Sequence, residues 1–446
     1  MYRDARGRRF GSLARLIAPQ NTRRKRALVS YDRAVDAPSG ATSDRRPVLI
    51  VTPWYGGDVG GVAVSSASLA ASLERIGVPV VVLYLAANRL PRFRRGDGGE
   101  LTIGLSLTPR TSRDGNSLRS FVGYWVRRAS LAWTIRRLAN LYRLRLVHFQ
   151  YCIDSYDDIL TEVQRYGVPV ISTFRGSEVN VHFDAPEMSA VIRRLIKVSA
   201  RITTVSEGLG RALARKSPEA AAKAEVIRNA VPLSVWDAEA NASRPAADGL
   251  QVDVLFAGNL LPVKGPDLLL EAFRIVHAHR PDATLAFVGS GTMEDELREM
   301  VAGAGLGKVV AFRGRVVREQ VLQHFHQARI LALPSRNEGM PLAAMEAHMV
   351  GVPVVAMDVG GVSEVVRHGE TGLVVPAGDA AAFADALLGL LGDEPRRARF
   401  GRAARERALT RFNPLEMAKR YAALYDRVAP VASQPDDVRP LRRSGT

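Results

Sequence analysis

Two glutamates with seven residues between them, Glu338 and Glu346, bracket the start of a helix in the stretch 334–376. An apolar strand at 330–333 runs into the loop Ser335-Arg-Asn-Glu338-Gly339. A helix is expected to open at Pro341, a residue suited to a first helical position because it has no N–H to leave unpaired. Gly351 ends that helix, and 352–356 reads as the next buried strand. Free N–H groups at the helix start, around Gly339, Met340 and Leu342, favour an anion or a ring of hydroxyls. Glu338 beside them can accept hydrogen bonds from sugar hydroxyls, and Glu346 lies further along the same helix. A second glycine-bounded helix start, Gly360-Gly361-Val-Ser-Glu364, follows the strand. Two helix N-termini at neighbouring strand ends suit a diphosphate. From the residues alone, the same pattern reads equally as an ordinary βαβ unit with solvated glutamates.

Other polar residues sit at comparable places. The loop 53–61 follows the buried strand 46–52 and ends in Gly60-Gly61 before a helix. A glycine-rich turn between strand and helix lets the backbone approach a phosphate closely, although the dinucleotide spacing and the lysine of a P-loop are missing. Arg175 follows the strand 168–174. Asn259 and Lys264 follow 252–257, and Gly314-Arg315-Val316 follows 308–312. Arg175 suits a phosphate or carboxylate through its bidentate fork but is no general acid or base near neutrality. His277/His279 and His324/His326 are spaced i, i+2, which sends the rings to different helix faces, so they are not expected to share a metal. No Asp-x-Asp motif is present, and no metal is expected.

Positioning these residues takes a large frame. The 446 residues exceed one ordinary core and point to two domains. A hydrophobic content of 47% with 24% charged residues fits a soluble globular chain. One cysteine, Cys152, allows no internal disulfide and suits a reducing cytosol. No apolar run reaches the ~20 residues of a span, and no signal peptide is recognisable. The formal charge of +17 favours an anionic partner. No nucleic-acid module is visible, so a phosphorylated substrate or an anionic membrane face is expected instead of nucleic acid. Residues 1–46 carry 12 Arg and Lys against 4 Asp and read as a basic, largely disordered extension. The stretch 88–117 reads as a long loop. The helical stretch 118–143 places Trp125 and aliphatics beside Arg127, Arg128, Arg136 and Arg137, which suits a membrane surface or any edge helix of a basic protein. Strand–turn–helix repeats fill 47–232 and 250–410, with a polar linker at 233–249, a closing helix at 411–430 and a frayed tail at 431–446. Every selected turn follows a strand, and ligand sites in doubly wound sheets lie at strand carboxyl ends. The selected residues should therefore converge on one cleft.

The signature stretch, with its Gly-x-Pro-Val-Val turn, Gly-Gly-x-x-Glu and closing Gly-Leu-Val, resembles that of the family 4 glycosyltransferases of the GT-B fold. The resemblance runs from about Val48 to about Tyr425. It implies an α/β GT-B architecture: two doubly wound Rossmann-like domains, the first for the acceptor and the second for the nucleotide-sugar donor, face a cleft, and the C-terminal helix crosses back to the first. It implies transfer of a hexosyl group from a nucleoside diphosphate sugar to an acceptor hydroxyl with retention, and no further cofactor. Glu338, Lys264 and Arg175 would carry the chemistry. Gly60, Gly61, Asn259, Lys264, Arg315, Val316, Glu338, Gly339, Met340, Pro341, Leu342 and Glu346 would hold the donor, Glu338 taking the transferred sugar, Glu346 the ribose and the 315–316 turn the base. Two departures stand out. The family's arginine before Lys264 is Asn259, and the histidine it commonly places at 175 is arginine, a form that resembles a bacterial polysaccharide, teichuronic-acid-type subset. The expected partners are a nucleotide-sugar donor, a lipid-linked or saccharide acceptor, and an anionic membrane through 1–46 and 118–143, from a cytoplasmic or peripheral location. The departures also feed a rival expectation, a non-catalytic nucleotide-sugar-binding scaffold or regulator.

Overall fold

The computed structural model describes residues 46–55, 60–86, 91–96, 99–106, 118–240 and 252–430. The basic extension, apart from Arg46, and the tail 431–446 lie outside them.

Eight strands form the first sheet: β1 Val48–Thr52, β2 Val80–Leu85, β3 Arg92–Arg95, β4 Leu101–Leu105, β5 Leu146–Gln150, β6 Val170–Phe174, β7 Arg201–Thr204 and β8 Ala224–Val226. Their order is β3-β4-β2-β1-β5-β6-β7-β8, parallel throughout except for the β3–β4 pair. The second sheet holds β9 Val252–Ala257, β10 Leu285–Val288, β11 Val310–Phe312, β12 Ala328–Leu333, β13 Val354–Met357 and β14 Gly372–Val375. Its order is β11-β10-β9-β12-β13-β14, all parallel. Helices cover both faces of each sheet, which is why strands such as VLIVT and VVAM are apolar at almost every position instead of alternating.

On one face of the first sheet, Val48, Ile50, Val80 and Val82 pack against Leu69 and Leu73 of the helix Gly61–Arg75. Met417, Tyr421, Leu424 and Tyr425 of the last helix, Pro414–Val428, join them. The C-terminal helix therefore crosses back onto the first domain and seals its sheet. On the other face Leu49, Val51, Val81 and Leu83 meet Leu131, Ile135 and Leu138 of the long helix Leu118–Leu141. That apolar cluster continues without a break to Leu331 and Leu333 of β12 and to Met340 and Met345 beyond it, joining the two layers.

Two expectations are corrected. The stretch 88–117 is not all loop, because it contains β3 and β4. Leu101–Leu105 extends the sheet parallel to β2, and the arginine-rich Arg92–Arg95 closes the edge, where charge discourages further strand pairing. The expected linker 233–249 begins as a helix, Leu233–Glu239, held by buried Leu233 and Val235 and by the Leu233 N–H donating to Ser68 Oγ at 2.8 Å. Residues 241–251 lie outside the described residues.

Candidate functional site

β9 and β12 are neighbours in the second sheet, so the turns at their carboxyl ends meet. After β9 the chain makes one 3-10 turn, Pro262–Lys264, and leaves it through Gly265 at φ 63°. A methyl group on Gly265 would overlap the Pro334 carbonyl, so glycine allows the two turns to touch. Arg336 fastens them: its N–H donates to Val263 O at 2.9 Å and its guanidinium forks onto Asp267 at 2.8 and 2.6 Å. This contact depresses the Asp267 carboxyl. Within this frame Lys264 Nζ donates to Glu338 Oε1 at 2.7 Å, and Ser335 Oγ donates to the same oxygen at 2.8 Å. Glu338 is buried, while Lys264 keeps about a third of its side chain exposed, 34%. Lysine and carboxylate thus form one unit at the lip of the cleft.

Gly339 and Met340 are buried and lead into the helix Leu342–Met349, with Pro341 as its N-cap at φ −74° and ψ 114° and not its first residue. Glu346 is buried about one turn along, and Leu342 remains half-buried at the helix mouth. Gly60, at φ 137°, caps the helix Gly61–Arg75 on the opposite wall. A Cβ on Gly60 would lie 3.9 Å from Asn259 Nδ2, and one on Gly61 would lie 3.6 Å from Leu342 Cδ1. These glycines therefore face the donor-side residues across the gap.

Further contacts hold the walls together. A methyl on Gly339 would overlap the Arg175 carbonyl oxygen, so two main chains abut here. Asn180 Nδ2 donates to Asn337 Oδ1 at 2.6 Å. Glu364, on the short helix Val362–Val365, accepts from the Gly208 N–H at 2.9 Å and pairs with Arg228 Nε at 3.2 Å.

Arg175 is half-buried at the end of β6 and donates from Nη2 to Gln150 Oε1. Gln150 Nε2 lies 2.7 Å from His148 Nε2. His148 in turn bonds Thr173 Oγ1 and the Tyr425 hydroxyl, each at 2.7 Å. Burial first, and the neighbouring Arg175 second, lower the His148 pKa to about 3, so the ring is neutral. Glu178 accepts the N–H groups of Arg175 at 3.2 Å and Gly176 at 3.0 Å, fixing the turn that abuts Gly339. Burial raises its pKa to about 7 against those hydrogen bonds.

Asn259, which faces Gly60, also joins Leu261, Ser290, Gly291, Thr292 and Arg315 in lining an open pocket of about 380 Å³, within the size range of small-molecule sites. Val316, expected beside Arg315, packs partly buried against the core. All the anticipated turns thus gather between the sheets. The sequence names Ser335 in the signature loop, and Gln150 stands where the resembled family often has a second histidine, but neither their contacts nor those of Asn180 and Glu364 are legible in it. Ser335 lies three residues before Glu338; the others depend on distant pairings that no local pattern signals. Among the described residues no three His, Cys, Asp or Glu side chains cluster as a metal site.

Known proteins match both halves of the chain. Residues 59–235 match the model described as Glycosyltransferase Family 4, and residues 237–407 match that described as Glycosyl transferases group 1. D-inositol 3-phosphate glycosyltransferase of Streptomyces scabiei is 30% identical over 372 residues, covering 78% of this chain and 82% of that protein. Sucrose-phosphate synthase from Thermosynechococcus elongatus superposes with a TM-score of 0.68 at 22% identity, over 86% of this chain and 99% of its own. Anabaena HepE in complex with UDP-glucose gives 0.66 at 17% identity, over 85% and 99%. With both halves matched in order, and a relative of this identity aligned over most of its length, the chain belongs to the family 4 glycosyltransferases of the GT-B fold.

Proposed function

We propose that this glycosyltransferase moves a hexosyl group from a nucleoside diphosphate sugar to an acceptor hydroxyl with retention of anomeric configuration. The acceptor is a saccharide or lipid-linked saccharide of cell-surface polysaccharide assembly. The observation that carries the reading is the Lys264–Glu338 unit at the mouth of the helix Leu342–Met349. Departure of the nucleoside diphosphate places negative charge on the β-phosphate. Lys264, Asn259 and the free N–H groups of that helix are preorganised around one point to receive it. Donor binding brings a phosphate to Lys264 and sugar hydroxyls to Glu338, so each partner exchanges the other for substrate. Arg175 stands on the opposite wall and supplies the positive charge that Asn259 lacks. The cavity beside Arg315 takes the base and Glu346 the ribose. No divalent ion enters this scheme.

A thermal-shift titration with UDP, GDP and ADP in EDTA-treated buffer tests the reading. One nucleotide, with UDP the first choice because HepE is a fold neighbour bound to UDP-glucose, should raise the melting temperature in proportion to the logarithm of its concentration. No shift with any of the three would count against the donor site itself, and a shift without transfer would favour the scaffold reading.

A peripheral membrane position is part of the proposal. No helix among the described residues is long and apolar enough to cross a bilayer. The helix Leu118–Leu141 exposes Trp125 and Trp133 on one side, with exposed Arg136 about one turn beyond Trp133, and Arg92 and Arg94 are exposed on edge strand β3. Interfacial tryptophans beside arginines suit an anionic surface. Flotation with phosphatidylglycerol vesicles should capture the protein and weaken with salt. Equal capture by neutral phosphatidylcholine vesicles would count against it.

A further inference from the structure

Strands β1, β5 and β6 lie side by side, and all three end on the cleft. Among the residues beyond their ends, Trp54, Tyr151 and Ser177 are given no part in the donor chemistry. Trp54 follows β1 and leaves its ring 45% exposed, on a wall whose strand residues are almost wholly buried. Tyr151 follows β5 with φ 91°, a left-handed conformation that an aromatic residue adopts only against a steric cost. Its N–H still donates to Thr173 O at 3.1 Å, so the strand ladder is kept and the unusual φ serves to aim the side chain. The Tyr151 ring centroid is 6.0 Å from that of Trp54 at an interplanar angle of 49°, and its hydroxyl lies 3.0 Å from Ser177 Oγ after β6. Burial and nearby Glu178 raise the Tyr151 pKa to about 12, so the phenol remains a neutral hydrogen-bonding group. Arg175 and the Gly60–Gly61 helix start adjoin the same three strand ends.

We propose that Trp54 and Tyr151 form a platform that seats a neutral pyranose ring of the acceptor. The chemistry favours a sugar over an alkyl chain. A pyranose offers a flat C–H face for an aromatic ring and a rim of hydroxyls, and here the aromatic surface is bordered by the Tyr151 and Ser177 hydroxyls. An alkyl chain would leave those polar groups facing hydrocarbon at a desolvation cost. The platform holds the ring against the N-terminal wall so that one hydroxyl points across to the donor. This inference rests on the transferase reading for the ring's role as acceptor, while the platform itself is testable without turnover.

The probes are methyl β-glucoside, methyl β-galactoside, methyl α-mannoside and methyl N-acetyl-β-glucosaminide. Each is titrated by saturation-transfer NMR into the full chain loaded with the stabilising nucleotide, and dodecyl phosphate below its micellar concentration serves as the lipid arm. At least one glycoside should bind the unaltered protein. Its half-saturating concentration should rise about tenfold in Trp54→Ala, as expected for loss of an aromatic packing surface, and about threefold in Tyr151→Phe, which removes only a hydroxyl hydrogen bond. Nucleotide titration should be unchanged in both variants, which also shows that they are folded. Unchanged glycoside binding in Trp54→Ala, no glycoside bound to the loaded protein, or Trp54-dependent capture of dodecyl phosphate alone would overturn the proposal. If no nucleotide binds, the donor reading fails by itself, and the same titrations on the free protein decide the platform.

Discussion

Replacing Lys264 by alanine should lower the transfer rate at least a hundredfold, the scale of losing one charge-stabilising group in a preorganised site. Lys264 stands on a turn that Gly265 and the Arg336–Asp267 fork hold against the loop of Glu338. Its ammonium is therefore placed before the donor arrives, and little reorganisation is left for the chemical step. The same variant should lose most of its stabilisation by nucleoside diphosphate, because the lysine meets the leaving group in both the bound and the reacting state. Glu338→Ala should cost transfer to a similar degree and spare the nucleotide titration, since Glu338 is assigned to the sugar and not to the diphosphate. That contrast assigns the two halves of the 2.7 Å pair to different parts of the donor. Lys264→Ala also strands a buried carboxylate, leaving the Ser335 hydroxyl on Oε1. Each rate is therefore compared alongside the melting temperature. Full turnover in a folded Lys264→Ala protein would remove the lysine from the mechanism.

Most strands of both sheets were legible because burial on two faces leaves nearly unbroken valine, isoleucine and leucine runs, as in Val48–Thr52 and Val80–Leu85. Leu101–Leu105 escaped because Gly104 interrupts a short run already surrounded by glycine and arginine. Arg92–Arg95 carries no strand signal at all, since its ladder with β4 is set by the partner and not by its own side chains. The helix Leu233–Glu239 was hidden for a related reason. Its two buried apolar residues are too few for a period to show among alanine and acidic neighbours. In the site, each glycine turn could be placed after a strand, but the pairing of Lys264 with Glu338 spans 74 positions. It follows from β9 lying next to β12, a strand order that local patterning does not encode. Arg175 shows the same limit. Its place at a strand end was readable, whereas its bond to Gln150, and through His148 to Tyr425 of the crossing helix, depends on tertiary packing.

Gly339→Ala should separate donor binding from transfer. Gly339 is not among the residues with positive φ, so alanine costs nothing in its own backbone conformation. The added methyl instead overlaps the Arg175 carbonyl oxygen and presses on Gly176, both on the opposite wall. Neither atom is the far end of a flexible side chain, and the Arg175–Gly176 turn is held by two N–H bonds to buried Glu178. The collision must be relieved by moving the walls apart. Lys264, Asn259 and the helix Leu342–Met349 all belong to one side of that gap and only Arg175 and the Gly60–Gly61 turn recede, so nucleotide affinity should fall by no more than about tenfold, about 1.4 kcal/mol. The acceptor wall recedes by an ångström or more, and displacements of that size cost about a hundredfold in rate when reacting atoms must be aligned. Gly303→Ala, where nothing lies within 4 Å of the new Cβ, is the matched control and should leave both quantities alone. Parallel measurement of nucleotide affinity and transfer rate decides the matter. Normal transfer in Gly339→Ala would mean that the Arg175–Gly339 contact is not needed in the reacting state. Loss of both nucleotide binding and transfer would mean that the methyl had disturbed the donor loop itself, and the closure argument would fall. Retained binding with lost transfer would show that chemistry requires the two walls to touch at these glycines.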